Sequence, residues 1–299
     1  MSVNKLGPSP LAMTIPFTKM QGLGNDFVIV EEDRLPVSEP ISSVATQLCN
    51  RHFGVGADGL IIVSASDDEQ TDIKFRFYNP DGSESEMCGN GIRCFARYVK
   101  DQGIISRNTF KVDTLAGVII PKINADNTVT VDMGLPRLKA EQLGFTGSSA
   151  EPIIDYPLTL ESGSKVPLTL VSMGNPHAIV FADKAPKGFD ITLHGPEIET
   201  NPLFANRTNV EWVEIQDENN ISVTVWERGA GLTLACGTGA CASAVACILH
   251  HKTSHHVNVA LPGGVLLIEW DGENSVMMTG PATYVFQGNT TLGQPVFSA

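Results

Sequence analysis

The chain carries one cysteine-glycine element twice: Glu86-Met87-Cys88-Gly89-Asn90-Gly91 recurs as Leu234-Ala235-Cys236-Gly237-Thr238-Gly239, and the two cysteines lie 148 residues apart. In a chain of 299 residues that spacing is half the length, and the sequence around each copy repeats in step. Gly24-Asn25-Asp26-Phe27 lies against Gly174-Asn175-Pro176-His177, and Gly59 with the run Leu60 to Val63 lies against Asn209 with Val210 to Val213. Phe75 to Tyr78 matches Val223 to Trp226, and Gly117-Val118 matches Gly264-Val265. So regular a duplication predicts two similar domains related by an approximate two-fold axis, each presenting one cysteine at the start of a helix.

Length and composition agree with two domains of roughly 150 residues, each able to bury its own core. Apolar residues make up 42% and charged residues 18%, ordinary values for a folded globular chain. The formal net charge of -13 offers no basic footprint for nucleic acid or an anionic membrane, so neither is expected as a partner. Met1 to Pro16 has neither the apolar core nor the basic lead-in of a signal peptide, and no run of about 18 apolar residues occurs. A cytoplasmic location is the expectation; a plastid would apply to a plant source, though no transit peptide is evident. The six cysteines then read as free thiols rather than three disulfides.

Hydrophobic periodicity predicts a strand over 17–30, a helix over 41–51, strands over 59–63 and 73–78, a helix over 89–101 and hairpin strands over 109–133. Asn79-Pro80-Asp81-Gly82 is a strong turn signal. The second half reads as hairpins over 157–171, a strand to Phe181, an irregular region through Asn206, strands to Trp226, a helix over 237–250 and further hairpins. That helix is apolar on nearly every face and must be buried all round. Strands outnumber helices and short turns join most of them, so the expected class is α+β, with mixed or antiparallel sheets wrapped round a central helix in each of two pseudo-symmetric domains. The expected boundaries are a loose leader over 1–12, a first domain over 13–133 plus 282–299, and a second over 134–281, with Gly134-Leu135-Pro136 at the crossover.

A helix N-terminus carries unpaired amides and partial positive charge, so it can stabilise a thiolate and bind a carboxylate. An unperturbed thiol, with a pKa of about 8.5, is a few per cent ionised at neutral pH. Two thiolates in one dry cleft would repel, so a facing pair is expected to hold one proton between them. The thiolate could then remove a hydrogen from an α carbon while the opposite thiol returns one from the other face, the requirement of a two-base racemase or epimerase that needs no metal. Cys49, Cys94, Cys241 and Cys247 read instead as small core residues.

Asn79-Pro80-Asp81-Gly82-Ser83-Glu84 leading into Cys88-Gly89-Asn90-Gly91-Ile92-Arg93-Cys94 resembles the diaminopimelate epimerases, as do Gly174-Asn175-Pro176-His177 and Glu227-Arg228-Gly229-Ala230-Gly231 before Ala235-Cys236-Gly237-Thr238-Gly239-Ala240. The resemblance runs from about Phe17 to Gly288. It implies a homodimeric, cofactor-independent epimerase interconverting LL- and meso-2,6-diaminopimelate in lysine biosynthesis, with the active site in a cleft between the domains. Carried over by position, Cys88 and Cys236 are the acid/base thiols, and backbone amides of Gly89, Asn90, Gly237 and Thr238 hold the carboxylate at the reacting centre. Asn79, Asn175, Asn209 and Arg228 bind the distal carboxylate, Glu227 and Asn25 receive ammonium groups, and His177 lines the site and, with Glu227, supports catalysis. Two positions depart from the family pattern. Gly59 stands where many members carry glutamine, so one polar substrate contact is expected to be absent or replaced by water. Phe286 stands where a tyrosine associated with the dimer contact is often found. The same scaffold would also suit another racemase, acting on histidine, proline or lanthionine, or a non-catalytic carboxylate-binding protein.

Two further patterns look chemical. Gly54-Val55-Gly56-Ala57-Asp58-Gly59 matches a dinucleotide fingerprint, but a helix precedes it and a strand follows, the reverse of what nucleotide binding needs. His250, His251, His255 and His256 cluster past a helix end, where a solvated turn accounts for them. No metal site is expected.

Overall fold

A computed structural model of the protein describes residues 14–37 and 39–292. The leader assigned to residues 1–12 lies outside the described residues. Two compact units emerge among the described residues, one formed by 14–22, 26–120 and 282–292, the other by 23–25 and 121–281.

In the first unit, β1 (Thr14–Gly22), β2 (Asn25–Glu31), α1 (Ile41–Cys49), β3 (Gly59–Ser64), β4 (Ile73–Tyr78), β5 (Glu84–Ser85), α2 (Gly89–Asp101), β6 (Val112–Thr114) and β7 (Gly117–Ile119) follow in chain order. The second unit contains β8 (Lys122–Ile123), β9 (Val129–Asp132), α3 (Ala140–Leu143), β10 (Tyr156–Thr159), β11 (Lys165–Ser172), β12 (Pro176–Phe181) and α4 (Ile191–Glu199). It continues through β13 (Asn209–Ile215), β14 (Asn220–Glu227), β15 (Gly231–Thr233), α5 (Gly237–Leu249), β16 (His256–Leu261), β17 (Gly264–Glu269) and β18 (Met277–Gly280). Finally β19 (Thr283–Thr291) returns to the first unit and pairs antiparallel with β1.

The strand expected over 17–30 is two strands, because Leu23 and Gly24 both take positive φ, 56° and 82°, and turn the chain. The unit boundary also falls earlier than the expected 133/134. β9 pairs antiparallel with β18, Val129 opposite Gly280 and Asp132 opposite Met277, so β8 and β9 belong to the second sheet. A long-range pairing of this kind leaves no local signal at the crossover.

The two sheets repeat one topology. β2–β3 and β12–β13 are parallel, β3–β4 and β13–β14 antiparallel, β4–β6 and β14–β16 parallel, β6–β7 and β16–β17 antiparallel. Register repeats too: Phe27 faces Gly59 in one unit and His177 faces Asn209 in the other, the pairs that the sequence repeat aligns. Within the second unit α5 packs against β11, β12, β13, β14, β16 and β17, so the sheet curls around it. Every residue from Gly239 to Ile248 is buried, and the Gly, Ala, Ser and Cys side chains keep the helix thin enough for strands to close on several faces. In the first unit α2 packs against β1, β3 and β4. Two sheet-rich domains with few helices make the class α+β.

Cys49, Cys94, Cys241 and Cys247 are buried thiols, outside any disulfide. Burial pushes the thiols of Cys49, Cys94 and Cys247 up to about 12. An unfolded chain would ionise them at about 8.5. Above that pH the folded protein therefore holds more protons than the unfolded one, so stability is full below it and is lost as pH rises through the folded values. The urea midpoint should fall steadily between about pH 9 and 12, and Cys94→Ala should remove about 1.4 kcal/mol per pH unit from that slope. An identical slope in the two proteins would contradict this account of the core.

Gly59 is buried at the start of β3, and a Cβ there would lie 2.2 Å from Cε2 of Phe77 and 2.6 Å from its Cζ. The Phe77 ring therefore fills the space into which a longer residue 59 would have to grow. Gly59→Gln should destabilise the protein by roughly 1–3 kcal/mol through overpacking. Combined with Phe77→Leu, it should cost less than the two single changes summed, as thermal melts of the four proteins of the cycle would show. Additive costs would contradict the steric argument.

Candidate functional site

Each repeated cysteine takes the N-cap position of its helix, the place usually held by Ser, Thr, Asp or Asn. Cys88 has extended backbone angles (φ −137°, ψ 113°), and its Sγ accepts from the N–H of Gly91 at 3.4 Å. Cys236 does the same (φ −126°, ψ 111°), with Sγ accepting from the N–H of Gly239 at 3.3 Å. Glycine at the third helical position leaves space beside the sulfur in both, and the fit is tighter at Gly239, where a Cβ would also lie 2.8 Å from Glu211 Oε1. A Cβ on Gly91 would meet Cys88 Sγ at 3.4 Å, and one on Gly239 would meet Cys236 Sγ at 3.2 Å. The amides of the first turn, which a helix cannot satisfy internally, belong to Gly89 and Asn90 in α2 and to Gly237 and Thr238 in α5.

In the first unit the mouth of α2 is held by Arg93, which is fully buried. Its Nη2 donates to Asn90 Oδ1 at 2.9 Å and its Nη1 to the Gly89 carbonyl at 3.2 Å. Asn79 lies at the end of β4 in the predicted turn, where its Nδ2 donates to Ser83 Oγ at 3.0 Å and its backbone N–H to the Ser83 carbonyl at 2.8 Å. Gly82 takes a φ of 87° in that turn, and a Cβ there would lie 2.7 Å from the Ser42 carbonyl oxygen. Cys88 is half-buried.

The second unit gathers more of the residues singled out in the sequence. His177, with no exposed surface, places Nε2 at 3.1 Å from Asn175 Oδ1. Asn175 Nδ2 donates to Thr238 Oγ1 at 3.3 Å, and Thr238 Oγ1 lies 3.5 Å from Cys236 Sγ. Asn209 donates through Nδ2 to the Pro176 carbonyl and accepts at Oδ1 from the Arg228 N–H, both at 2.9 Å. The Arg228 guanidinium donates to the Asn206 carbonyl at 2.9 Å, and Glu227 Oε1 accepts from the Thr233 hydroxyl at 2.6 Å. Asn25, at the start of β2, is half-buried and belongs to the 23–25 segment that packs with this unit.

Two contributors went unnoticed in the sequence. Glu211, on β13, has no exposed surface and sets Oε1 at 2.6 Å from His177 Nδ1. Its signal was a charge inside the run Val210 to Val213, at the place where the aligned run Leu60 to Val63 is wholly apolar. Glu199, at the end of α4, accepts from Trp226 Nε1 at 2.8 Å and from the Gly229 N–H at 2.9 Å, so it anchors the turn that carries Glu227 and Arg228. Helix α4 falls where an irregular region was expected, because Gly195 and Pro196 interrupt its pattern. Its N-cap Asp190, accepting from the Thr192 N–H at 2.8 Å, was the legible clue.

Electrostatics differ from the simple dipole expectation. Burial pushes the Cys236 thiol well above its ordinary range, and the carboxyl groups of Glu227 and Glu211, when ionised, push the same way; bonds from Thr238 and Gly239 act against them without prevailing. Burial likewise raises Glu211 and Glu227 above the usual carboxylate range, the former opposed by His177, the latter by Thr233 and His177. Cys236 is therefore a thiol at neutral pH in this state. Desolvation of the sulfur, in a residue only 8% exposed, outweighs one helix end.

The histidines past α5 go to separate partners: His250 Nε2 to Thr169 Oγ1 at 2.7 Å, His255 Nδ1 to the Trp270 carbonyl at 2.7 Å, and His256 to Glu269 at 3.2 Å. Among the described residues no group of three or more His, Cys, Asp or Glu side chains converges as a metal site would, and no helix is long and apolar enough to cross a membrane. The Gly54–Gly59 segment follows α1 and precedes β3, an order unsuited to a dinucleotide.

Comparison with solved structures shows the fold. A hydroxyproline epimerase from Agrobacterium vitis superposes with a TM-score of 0.65 at 12% identity, covering 96% of this chain and 95% of its own. A phenazine biosynthesis protein from Bacillus anthracis superposes with a TM-score of 0.65 at 16% identity, covering 93% and 99%. Sequence relatives are far nearer. Diaminopimelate epimerase from Desulfitobacterium hafniense is 49% identical over 276 residues, 90% of this chain and 96% of the relative. That from Halothermothrix orenii is 46% identical over 285 residues, 94% and 99%. The family model for diaminopimelate epimerase matches residues 17–139 and 169–285. With both cysteine elements inside the matched regions and relatives at 46–49% identity over nearly the whole chain, the chain belongs to the diaminopimelate epimerase family.

Proposed function

We propose that this protein interconverts LL- and meso-2,6-diaminopimelate without a cofactor, using Cys88 and Cys236 as acid and base on opposite faces of one α carbon. The observation that carries the reading is the repeated N-cap cysteine: two equivalent helix ends, each offering a sulfur together with first-turn amides. In the forward sense a thiolate takes the α hydrogen and becomes a thiol, while the opposite thiol gives its hydrogen to the other face and becomes a thiolate. The pair thus ends each turnover holding one proton, as it began. Negative charge developing on the substrate carboxylate is met by the amides of Gly89, Asn90, Gly237 and Thr238, where one well-placed donor is worth about 3 kcal/mol. The raised Cys236 thiol supports this division, since one partner must start protonated.

The far end of a di-zwitterion needs an anion clamp and a cation acceptor. Asn79, Asn175, Asn209 and Arg228 are assigned to the distal carboxylate, Glu227 and Asn25 to ammonium groups, and His177 to the wall near the thiols. Gly59 offers no side chain, and Phe77 occupies the adjoining space, so the substrate contact assigned to glutamine in many members would be absent or replaced by water here. Lysine biosynthesis, a cytoplasmic location and a homodimer complete the proposal. Consistent with a dimer, β19 lies at the end of the first sheet with Val285 and Phe286 about half exposed.

Supplied in turn with LL-diaminopimelate, lanthionine, histidine and proline, the protein should epimerise diaminopimelate fastest; faster inversion of another would reassign the substrate. Cys88→Ala and Cys236→Ala should each keep the fold, by circular dichroism, and lose about a thousandfold or more in turnover. Retained activity in either folded variant would rule out the two-thiol scheme.

A further inference from the structure

Because the units share one topology and register, each residue at one helix mouth has a counterpart at the other, and differences between counterparts are not dictated by the fold. Ile61 and Glu211 are such a pair: Ile61 faces Ile29 on β2, and Glu211 faces Ile179 on β12. Cδ1 of Ile61 lies 3.4 Å from where a Cβ on Gly91 would stand, and Oε1 of Glu211 lies 2.8 Å from the corresponding point on Gly239. An aliphatic side chain satisfies the packing in one unit. The other unit instead buries a carboxyl, which is costly unless it does something.

Glu211 Oε1 reaches His177 Nδ1, whereas Oε2 meets no hydrogen-bond partner among the described residues. The remaining contacts have a direction. Asn175 Oδ1 can only accept, so His177 Nε2, 3.1 Å away, carries a proton. Asn175 Nδ2 donates to Thr238 Oγ1, which leaves the Thr238 hydroxyl hydrogen for the sulfur 3.5 Å away. A neutral imidazole has one N–H; keeping it on Nε2 requires a donor at Nδ1, and keeping both requires an anion there. A carboxyl meets either need, as an acid donating to Nδ1 or as a carboxylate accepting from an imidazolium. In both forms the pair is neutral and the Nε2 proton stays. Burial favours the acid form of Glu211, and the bare Oε2 is better tolerated as an uncharged oxygen.

We propose that Glu211 is a positioning residue for Cys236: by holding His177 at Nδ1 it keeps a proton on Nε2, and so fixes the chain His177, Asn175, Thr238 in the direction that makes the threonine hydroxyl donate to the sulfur. The proposal rests on the reading of Cys236 as one of two acid/base thiols. An amide at position 211 reverses the chain. The Oε1 site lies at the positive amino end of α5, where a carbonyl oxygen is favoured over an NH2 group. The amide introduced by Glu211→Gln would then accept from Nδ1–H, leave Nε2 bare, turn Asn175 over and draw the threonine hydrogen away from the sulfur.

The test is alkylation of the substrate-free, full-length protein by iodoacetamide at neutral pH, with Cys236 and Cys88 followed separately by peptide mass mapping. Glu211→Gln, and Glu211→Ile as the residue type of the other unit, should slow Cys236 about fivefold, the worth of one lost hydrogen bond, and leave Cys88 unchanged. Turnover of diaminopimelate should fall through kcat, with KM changed less than about twofold. Were Glu211 merely a negative charge beside the sulfur, its removal would speed alkylation; an unchanged or faster Cys236 in a folded variant overturns the proposal. If the unaltered protein does not epimerise diaminopimelate, the functional reading falls, and the alkylation comparison still decides the role of Glu211.

Discussion

A sulfur in the N-cap position of a helix enclosed by its own sheet is the constraint on which this protein depends. Enclosure hides the helix body, so only its amino end is available, and there the cap stands together with the amides that the helix itself cannot satisfy. A cysteine can cap, as the bond from the amide of the third helical residue shows in both α2 and α5. It can also carry a proton that a hydroxyl would not release. The glycine at that third position keeps the space beside the sulfur open, most tightly in α5, where a Cβ would lie 3.2 Å from Sγ.

Enclosure has a cost that a helix end does not cover. At Cys236 the loss of water and two nearby carboxyl groups raise the thiol more than Gly239 and Thr238 lower it. Such a sulfur is well suited to begin as the acid of a proposed acid/base pair. Its ionisation then depends on the few donors that reach it, which gives weight to the orientation of Thr238. The first unit builds its mouth otherwise. Phe27 stands in the place of His177, Ile61 in that of Glu211 and Gly59 in that of Asn209. Duplication supplied two equivalent helix ends, and the sheet residues behind them have since diverged, apolar in one unit and hydrogen-bonded in the other.

Much of this is legible in the sequence alone. Local signals place the helices starting at Ile41, Gly89 and Gly237 and the turn at Asn79 to Gly82, and the internal repeat aligns residues that share register in the two sheets. What escaped was set by tertiary structure. β9 joins the second sheet through pairing with β18, far away in the chain. α4 forms despite Gly195 and Pro196, and its Glu199 gains meaning only against Trp226 and Gly229. The shift at Cys236 needed the depth of burial, which no spacing reveals. Glu211 is the exception: its charge was visible against Ile61 in the repeat, and went unread because the surrounding run was apolar.

The central claim is that two different sulfurs serve the two faces of one carbon. The direct measurement is the fate of hydrogen in heavy water, followed by mass spectrometry of LL- and meso-diaminopimelate at low conversion. With two bases the first meso product carries one deuterium at the inverted carbon, while the remaining LL substrate keeps its original hydrogen. Meso product that retains the substrate hydrogen, or deuterium entering the LL pool as fast as the product forms, would show a single group working both faces and would contradict the account.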